Sequence, residues 1–120
     1  MFNEVKHSKS RSNGHTLKEE LESIVKENPI VLFMKGNKLM PQCGFSAHVV
    51  GILSQYTDSF VTVDVLGDPQ IRQGMKDYSN WQTFPQLYIG GEFVGGCDIV
   101  TEMDEDKELE PKINAVVKQA

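Results

Sequence analysis

The stretch Ile30-Val31-Leu32-Phe33-Met34 constrains the fold more than any other part of the chain. It is an unbroken apolar run, rich in β-branched residues, with Asn28-Pro29 before it and a polar loop from Lys35 after it. Alternating apolar and polar residues would mark a strand with one wet face, whereas a continuous run of this length marks a central strand covered on both faces. Covering both faces of a sheet requires helices above and below it.

The flanks carry those helices. Upstream, Thr16-Leu17-Lys18-Glu19 is a capping box, and Leu17, Leu21, Ile24 and Val25 fall on one helical face that ends at Asn28-Pro29. Downstream, Val49, Ile52, Leu53 and Tyr56 recur at helical spacing, with Gly51 a mild weakness. Val61, Val63 and Val65 then alternate with Thr62 and Asp64, which predicts a second strand. Asp68 is an N-cap with Pro69 in the first turn, and it opens a helix whose buried stripe is Ile71, Met75 and Tyr78 and whose other face carries Arg72 and Lys76. Gln86 to Ile89 and Glu92 to Val94, joined by Gly90-Gly91, predict a β-hairpin. Asp98 is expected to cap a further helix. After Asp104-Glu105-Asp106, Leu109, Ile113, Val116 and Val117 form a last amphipathic segment with Pro111 in its first turn. The order is α-β-α-β-α-β-β-α-α, without an internal repeat. Two parallel strands linked by a crossover helix, then a helix and an antiparallel hairpin, meet the requirements of an α/β thioredoxin-like fold: a central four-stranded mixed sheet flanked by helices on both faces.

Composition excludes several classes. A chain of 120 residues with 39% apolar and 24% charged residues predicts one soluble domain with a modest core. A net charge of −5 argues against a nucleic-acid binder, because neutralising phosphates needs a basic face. The longest apolar run is far short of the roughly 20 residues of a membrane helix, and there is no signal-peptide core. Two cysteines, Cys43 and Cys97, are too few for a disulfide-stapled secreted scaffold and suit a reducing compartment, so the cytoplasm is expected. Met1 to His15 is polar and basic, with Lys6, Lys9 and Arg11 among serines, and is read as a disordered leader or tail. A second reading, the remnant of a transit peptide, would place the protein in a mitochondrion or plastid. Residues 16–120 form the expected domain.

Cys43 carries the chemistry. Strand, loop, cysteine, helix is the local order, and it places this thiol at a helix N-terminus, where unpaired backbone N–H groups and the helix dipole favour thiolate. Lys35 adds a cation, and Ser46 stands where a dithiol C-x-x-C motif would have its second cysteine. A buried structural cysteine is the alternative; the helix start, the adjacent Gly44 and Lys35 favour a reactive or ligating thiol. For Cys97, between Gly96 and Asp98, a tightly packed small residue and a reactive thiol both stay open. His7, His15 and His48 do not pair with the cysteines at ligand spacing, and His48, five residues after Cys43 on the same predicted helix, is expected to point away from it. Taken alone, Phe84-Pro85 reads as an ordinary trans proline starting a strand.

Cys43-Gly44-Phe45-Ser46, preceded by Lys35-Gly36 and Pro41, resembles the CGFS signature of monothiol glutaredoxins. Trp81-Gln82-Thr83-Phe84-Pro85-Gln86 is similar to that family's W-P-T-x-P-Q loop, with Gln82 where the family usually has proline, and Gly95-Gly96-Cys97-Asp98 is similar to its G-G-x-D element. The resemblance runs from Thr16 to the C-terminus without a second domain, so it implies a single-domain member. It further implies a cis Phe84-Pro85 bond facing the cysteine, and glutathione as ligand. Lys35 and Arg72 would hold the glycine carboxylate, the Phe84 backbone would pair with the cysteinyl unit, and the N–H groups of Cys97 and Asp98 would receive the γ-glutamyl carboxylate. The Asp98 carboxylate would take the α-amino group, with Thr83, Pro85 and Gly96 completing the site.

Two functions are implied for the same cleft. In one, Cys43 and a glutathione sulfur from each of two copies ligate a [2Fe–2S] cluster, which needs four ligands; the homodimer, or a heterodimer with a BolA-like protein, would deliver it to acceptor apoproteins. In the other, Cys43 removes glutathione from mixed disulfides. Compared with dithiol glutaredoxins, the family has an extended loop, here Gly36 to Gln42, associated with cluster binding and weak reductase activity, so the carrier reading comes first. A non-catalytic adaptor would have no need for the cysteine, lysine, arginine and aspartate together.

Overall fold

The computed structural model describes residues 16–117, so the leader expected at Met1–His15 lies outside the described residues. Nine elements follow one another: α1 (Leu17–Glu27), β1 (Ile30–Met34), α2 (Gly44–Ser54), β2 (Val61–Asp64), α3 (Pro69–Ser79), β3 (Gln86–Ile89), β4 (Glu92–Gly95), α4 (Cys97–Glu105) and α5 (Leu109–Val116). The first cap forms as the sequence predicts: the Glu19 N–H donates to Thr16 Oγ at 3.1 Å, and the Thr16 N–H donates to the Glu19 carboxylate at 2.9 Å. Asp68 caps α3 in the same way, accepting from the N–H groups of Gln70 and Ile71.

The strand order is β2-β1-β3-β4. β1 runs parallel to β2 and antiparallel to β3, so that Val31 lies opposite Val61 on one side and Tyr88 on the other. Every residue of β1 is fully buried. Alternate side chains serve opposite faces, as strand geometry demands. Ile30, Leu32 and Met34 pack with Leu53 of α2, Val100 of α4 and Ile113 of α5, whereas Val31 and Phe33 pack with Val25 of α1 and Met75 of α3. Each fully buried large apolar side chain is worth about 1.5–3 kcal/mol relative to exposure, so this one strand anchors both layers of the core.

Two details depart from the sequence reading. The second hairpin strand extends through Gly95. Asp98 does not cap α4: the N-cap is Gly96, with Cys97 and Asp98 in the first turn. A Cβ on residue 96 would lie 3.2 Å from Trp81 Nε1 and 3.3 Å from the Pro85 carbonyl oxygen, a tight approach to which the neighbouring groups would have to yield by a few tenths of an ångström.

Candidate functional site

Leaving β1, the chain turns through a loop that is folded on itself. The Gly36 N–H donates to the Asp64 carboxylate at the end of β2 (3.0 Å), Gly36 bridges to Pro41, and the Gln42 N–H donates to the Lys35 carbonyl at 2.8 Å. Within it, Asn37 Oδ1 accepts from the N–H groups of Leu39 and Met40. Gly36 has φ of 88°, and a Cβ there would sit 2.5 Å from the Met40 carbonyl oxygen and 2.6 Å from the Gln42 nitrogen. Gly36→Ala is therefore expected to cost more than about 1 kcal/mol and to lower the thermal midpoint by about 4 °C or more. A melting curve superimposable on wild type would show that this loop is not fixed as described.

The loop delivers Cys43 to the start of α2 as its N-cap, with extended backbone (φ −150°, ψ 137°) and its carbonyl accepting from the Ala47 N–H. The backbone N–H of Ser46 holds the Cys43 thiol below its ordinary pKa; the Phe45 N–H, the Lys35 cation and the Ser46 hydroxyl add to this, and partial desolvation opposes it. The Ser46 side chain is fully buried and accepts from the Lys35 N–H at 3.2 Å, so the residue at the missing-thiol position ties the end of β1 to α2. Because the folded pKa is depressed, this thiolate's contribution to stability is complete above the unfolded thiol's pKa and is lost as pH falls through the folded one. In Cys97→Ser, alkylation of Cys43 by iodoacetamide should reach half its maximal rate at a lower pH than that of a free cysteine peptide. A midpoint equal to or above the peptide's would contradict the site's electrostatics.

Beside Cys43 lies a cleft of about 430 Å³. It gathers residues from five places in the chain: Lys35 after β1, Cys43 at α2, Thr83, Phe84 and Pro85 before β3, Gly96 after β4, and Cys97 and Asp98 at α4. The Phe84-Pro85 bond is cis, as the resemblance implies and against the reading of the dipeptide alone. Gln82 is exposed, and the chain on either side of it is pinned by the buried Gln86 side chain, whose Nε2 donates to the carbonyls of Trp81 (3.0 Å) and Thr83 (3.3 Å). Of the residues the sequence singles out, Arg72 is the one that does not line the cleft; it stands exposed on α3. Three residues that line it were given no role from the sequence: Phe45 and Trp81, quoted only as members of their motifs, and Ile99. Phe45 had a signal, being an apolar residue outside the buried stripe of its helix, and it is 63% exposed.

A wider groove of about 700 Å³ continues from Cys43 between α2 and α4, with His48, Thr101 and Glu102 in its walls. His48 and Cys43 thus border one groove, contrary to the helical-spacing argument, because Cys43 is an N-cap with extended backbone and does not follow helical periodicity. The Thr101 hydroxyl donates to the Cys97 carbonyl at 2.7 Å and is also hydrogen-bonded with His48 Nε2 at 3.1 Å, which ties α2 to α4 across the groove. Both cysteines are free thiols, partly exposed.

A mixed four-stranded sheet with helices on both faces, one thiolate-favouring cysteine at a helix start, serine three residues on and a cis-proline cleft alongside define a thioredoxin-like protein with a single thiol at that helix start. The Glutaredoxin family profile matches residues 30–94. A monothiol glutaredoxin of Synechocystis sp. is 50% identical over 100 residues, which is 83% of this chain and 94% of that protein. A reduced apo glutaredoxin of poplar shares 48% identity with a TM-score of 0.74, covering 84% of this chain and 93% of that one. A buckwheat glutaredoxin–glutathione complex shares 25% identity with a TM-score of 0.74, covering 82% and 88%. The chain belongs to the glutaredoxin family, as a monothiol member.

Proposed function

We propose that the protein is an iron–sulfur carrier: two copies, each with one bound glutathione, hold a [2Fe–2S] cluster between them and pass it to acceptor apoproteins. The observation that carries this reading is the lone thiolate-favouring sulfur of Cys43 at the mouth of a cleft, with the residue at the usual second-thiol position buried and hydrogen-bonded. Among the described residues no group of three or more His, Cys, Asp and Glu side chains could hold a metal within one chain. The donor set therefore fits a shared site: a cluster takes four ligands, and each copy offers Cys43 plus the sulfur of a bound thiol peptide. The cluster is cargo, and transfer exchanges these thiolates for those of the acceptor.

Glutathione is the thiol proposed. The cleft volume lies within the roughly 300–1,000 Å³ usual for small-molecule sites, and the buckwheat relative was solved as a glutathione complex. Lys35 would pair with the glycine carboxylate, the Phe84 backbone with the cysteinyl unit, and the first turn of α4 with the γ-glutamyl carboxylate through the N–H groups of Cys97 and Asp98. Arg72, outside the cleft, would act on the glycine carboxylate only at longer range. Leu39, Met40 and Phe45 are 68%, 66% and 63% exposed close in sequence to Cys43, which supports a protein surface there, for a second copy or a BolA-like partner.

The depressed Cys43 pKa supports a second activity. The Cys43 thiolate attacks the glutathione-side sulfur of a protein–glutathione disulfide and releases the protein thiolate; a second glutathione thiolate then attacks glutathionylated Cys43, giving oxidised glutathione and free Cys43. Anaerobic reconstitution with iron and sulfide, with and without glutathione, separates the two readings. A coloured protein that forms only with glutathione is the carrier's result, whereas a colourless protein under both conditions that still deglutathionylates a test peptide leaves the reductase.

A further inference from the structure

Among the described residues, two side-chain hydrogen bonds join α2 and the turn that follows it to α4. At the far end of this seam the Tyr56 hydroxyl donates to the Asp104 carboxylate. Nearer to Cys43, His48 Nε2 lies 3.1 Å from Thr101 Oγ1, and the Thr101 hydroxyl donates to the Cys97 carbonyl at 2.7 Å. His48 and Thr101 border the groove that continues from Cys43, and Cys97 and Asp98 border both that groove and the cleft. The Cys97 carbonyl belongs to the same planar peptide unit as the Asp98 N–H. That N–H is one of the two groups assigned above to the γ-glutamyl carboxylate. A hydrogen bond accepted by the carbonyl holds the plane of this peptide and polarises it, which makes its N–H a stronger donor.

We propose that Thr101 and His48 are positioning residues for glutathione: a directed chain runs from His48 Nε2–H to the Thr101 hydroxyl, from Thr101 O–H to the Cys97 carbonyl, and from the Asp98 N–H to the γ-glutamyl carboxylate. The proposal rests on the glutathione reading above. Thr101 has a single hydroxyl hydrogen, which it gives to Cys97, so the chain requires the His48 hydrogen on Nε2. Every link then donates in the same sense. The positive end of the chain faces the carboxylate and adds to the dipole at the N-terminus of α4. The surroundings make this useful. Asp98, Glu102 and Glu105 line the adjoining groove, and their negative charge opposes an incoming carboxylate, which a donor aimed and polarised in advance offsets. The Tyr56–Asp104 bond supplies the contrast, because it joins the same two segments and neither partner lines the cleft.

The test is an NMR titration of the reduced apoprotein with two peptides: glutathione, and γ-aminobutyryl-cysteinyl-glycine, which keeps the amine and lacks only the α-carboxylate. Thr101→Val keeps the shape of the side chain and removes the hydroxyl. It should weaken glutathione about three- to tenfold, the worth of roughly one net hydrogen bond, and leave the analogue's affinity unchanged. Thr101→Ser should bind both peptides as wild type does. His48→Ala should lose about two- to threefold for glutathione alone, and His48→Gln, whose amide still donates, should recover it. Tyr56→Phe should alter neither affinity. The ring-nitrogen shifts of His48 should place its hydrogen on Nε2. An equal loss for both peptides in Thr101→Val would reduce the chain to packing and overturn the proposal, and a His48 hydrogen confined to Nδ1 would overturn it as well. A wild type that binds the two peptides equally would sink the placement of the γ-glutamyl carboxylate on α4, and this proposal with it. A wild type that discriminates between them, with Thr101→Val discriminating just as strongly, would overturn the chain alone.

Discussion

Cys43→Ser is expected to take up no cluster at any glutathione concentration, while Cys97→Ser keeps most of the wild-type capacity. The two cysteines border the same cleft, and at Cys43 the local environment depresses the thiol pKa: the Ser46 and Phe45 N–H groups at the helix start, the Lys35 cation and the Ser46 hydroxyl all stabilise its thiolate. Iron binds thiolate and not thiol, so that environment is also what would make Cys43 the ligand in the proposed site at neutral pH. A serine alkoxide is not available in its place, and free glutathione would have to fill a position the chain no longer organises. Cys97 occupies the first helical position of α4, where the proposed site uses its N–H, and serine keeps that group. The check is visible absorption after anaerobic reconstitution of both variants with excess glutathione. Equal loss of colour in the two would make Cys97 a ligand as well.

Lys35→Ala is expected to weaken glutathione binding by about ten- to a hundredfold, the loss of one charge-assisted hydrogen bond of roughly 1.5–3 kcal/mol. Lys35 lines the cleft, and its backbone is held through the bonds to Ser46 and Gln42, so its side chain starts from a fixed point at the site. Arg72→Ala should cost only a few-fold, because an exposed guanidinium outside the cleft acts across screened solvent. Neither residue ligates iron. Both variants should therefore still become coloured, but at higher glutathione concentrations than wild type, and Lys35→Ala by the larger margin. In the proposed dimer, which would take two glutathiones, the deficit enters assembly twice. Titrating glutathione during reconstitution measures it. A Lys35→Ala curve that overlies wild type, or one that stays colourless at saturation, would remove Lys35 from the carboxylate's site.

The architecture was legible because its signals are local and redundant. Ile30–Met34 can be dry on both faces only inside a two-layered helix cover, and the capping residues Thr16 and Asp68 start helices whose apolar stripes turn inward. Gly90 and Gly91 take the positive φ values that a tight hairpin turn requires. The cleft was legible through three motifs that the fold brings together. What escaped depended on long-range geometry. Lys38 looks like any lysine in a polar loop, yet its Nζ donates to the carbonyls of Asp58 and Phe60, 20 and 22 residues away. Asp98 carries a side chain suited to capping, but the helix begins two residues earlier, with Gly96 as its cap packed closely against Trp81 and Pro85. His48 was judged by helical periodicity from a residue that is not itself helical.

The central claim, a cluster shared by two chains and two glutathiones, is tested most directly by native mass spectrometry of the protein reconstituted anaerobically with glutathione. The account predicts one coloured species whose mass equals two chains, one [2Fe–2S] cluster and two glutathiones, and a monomer once the cluster is chelated. A cluster found on a single chain, or a coloured dimer with no glutathione in its mass, would contradict it.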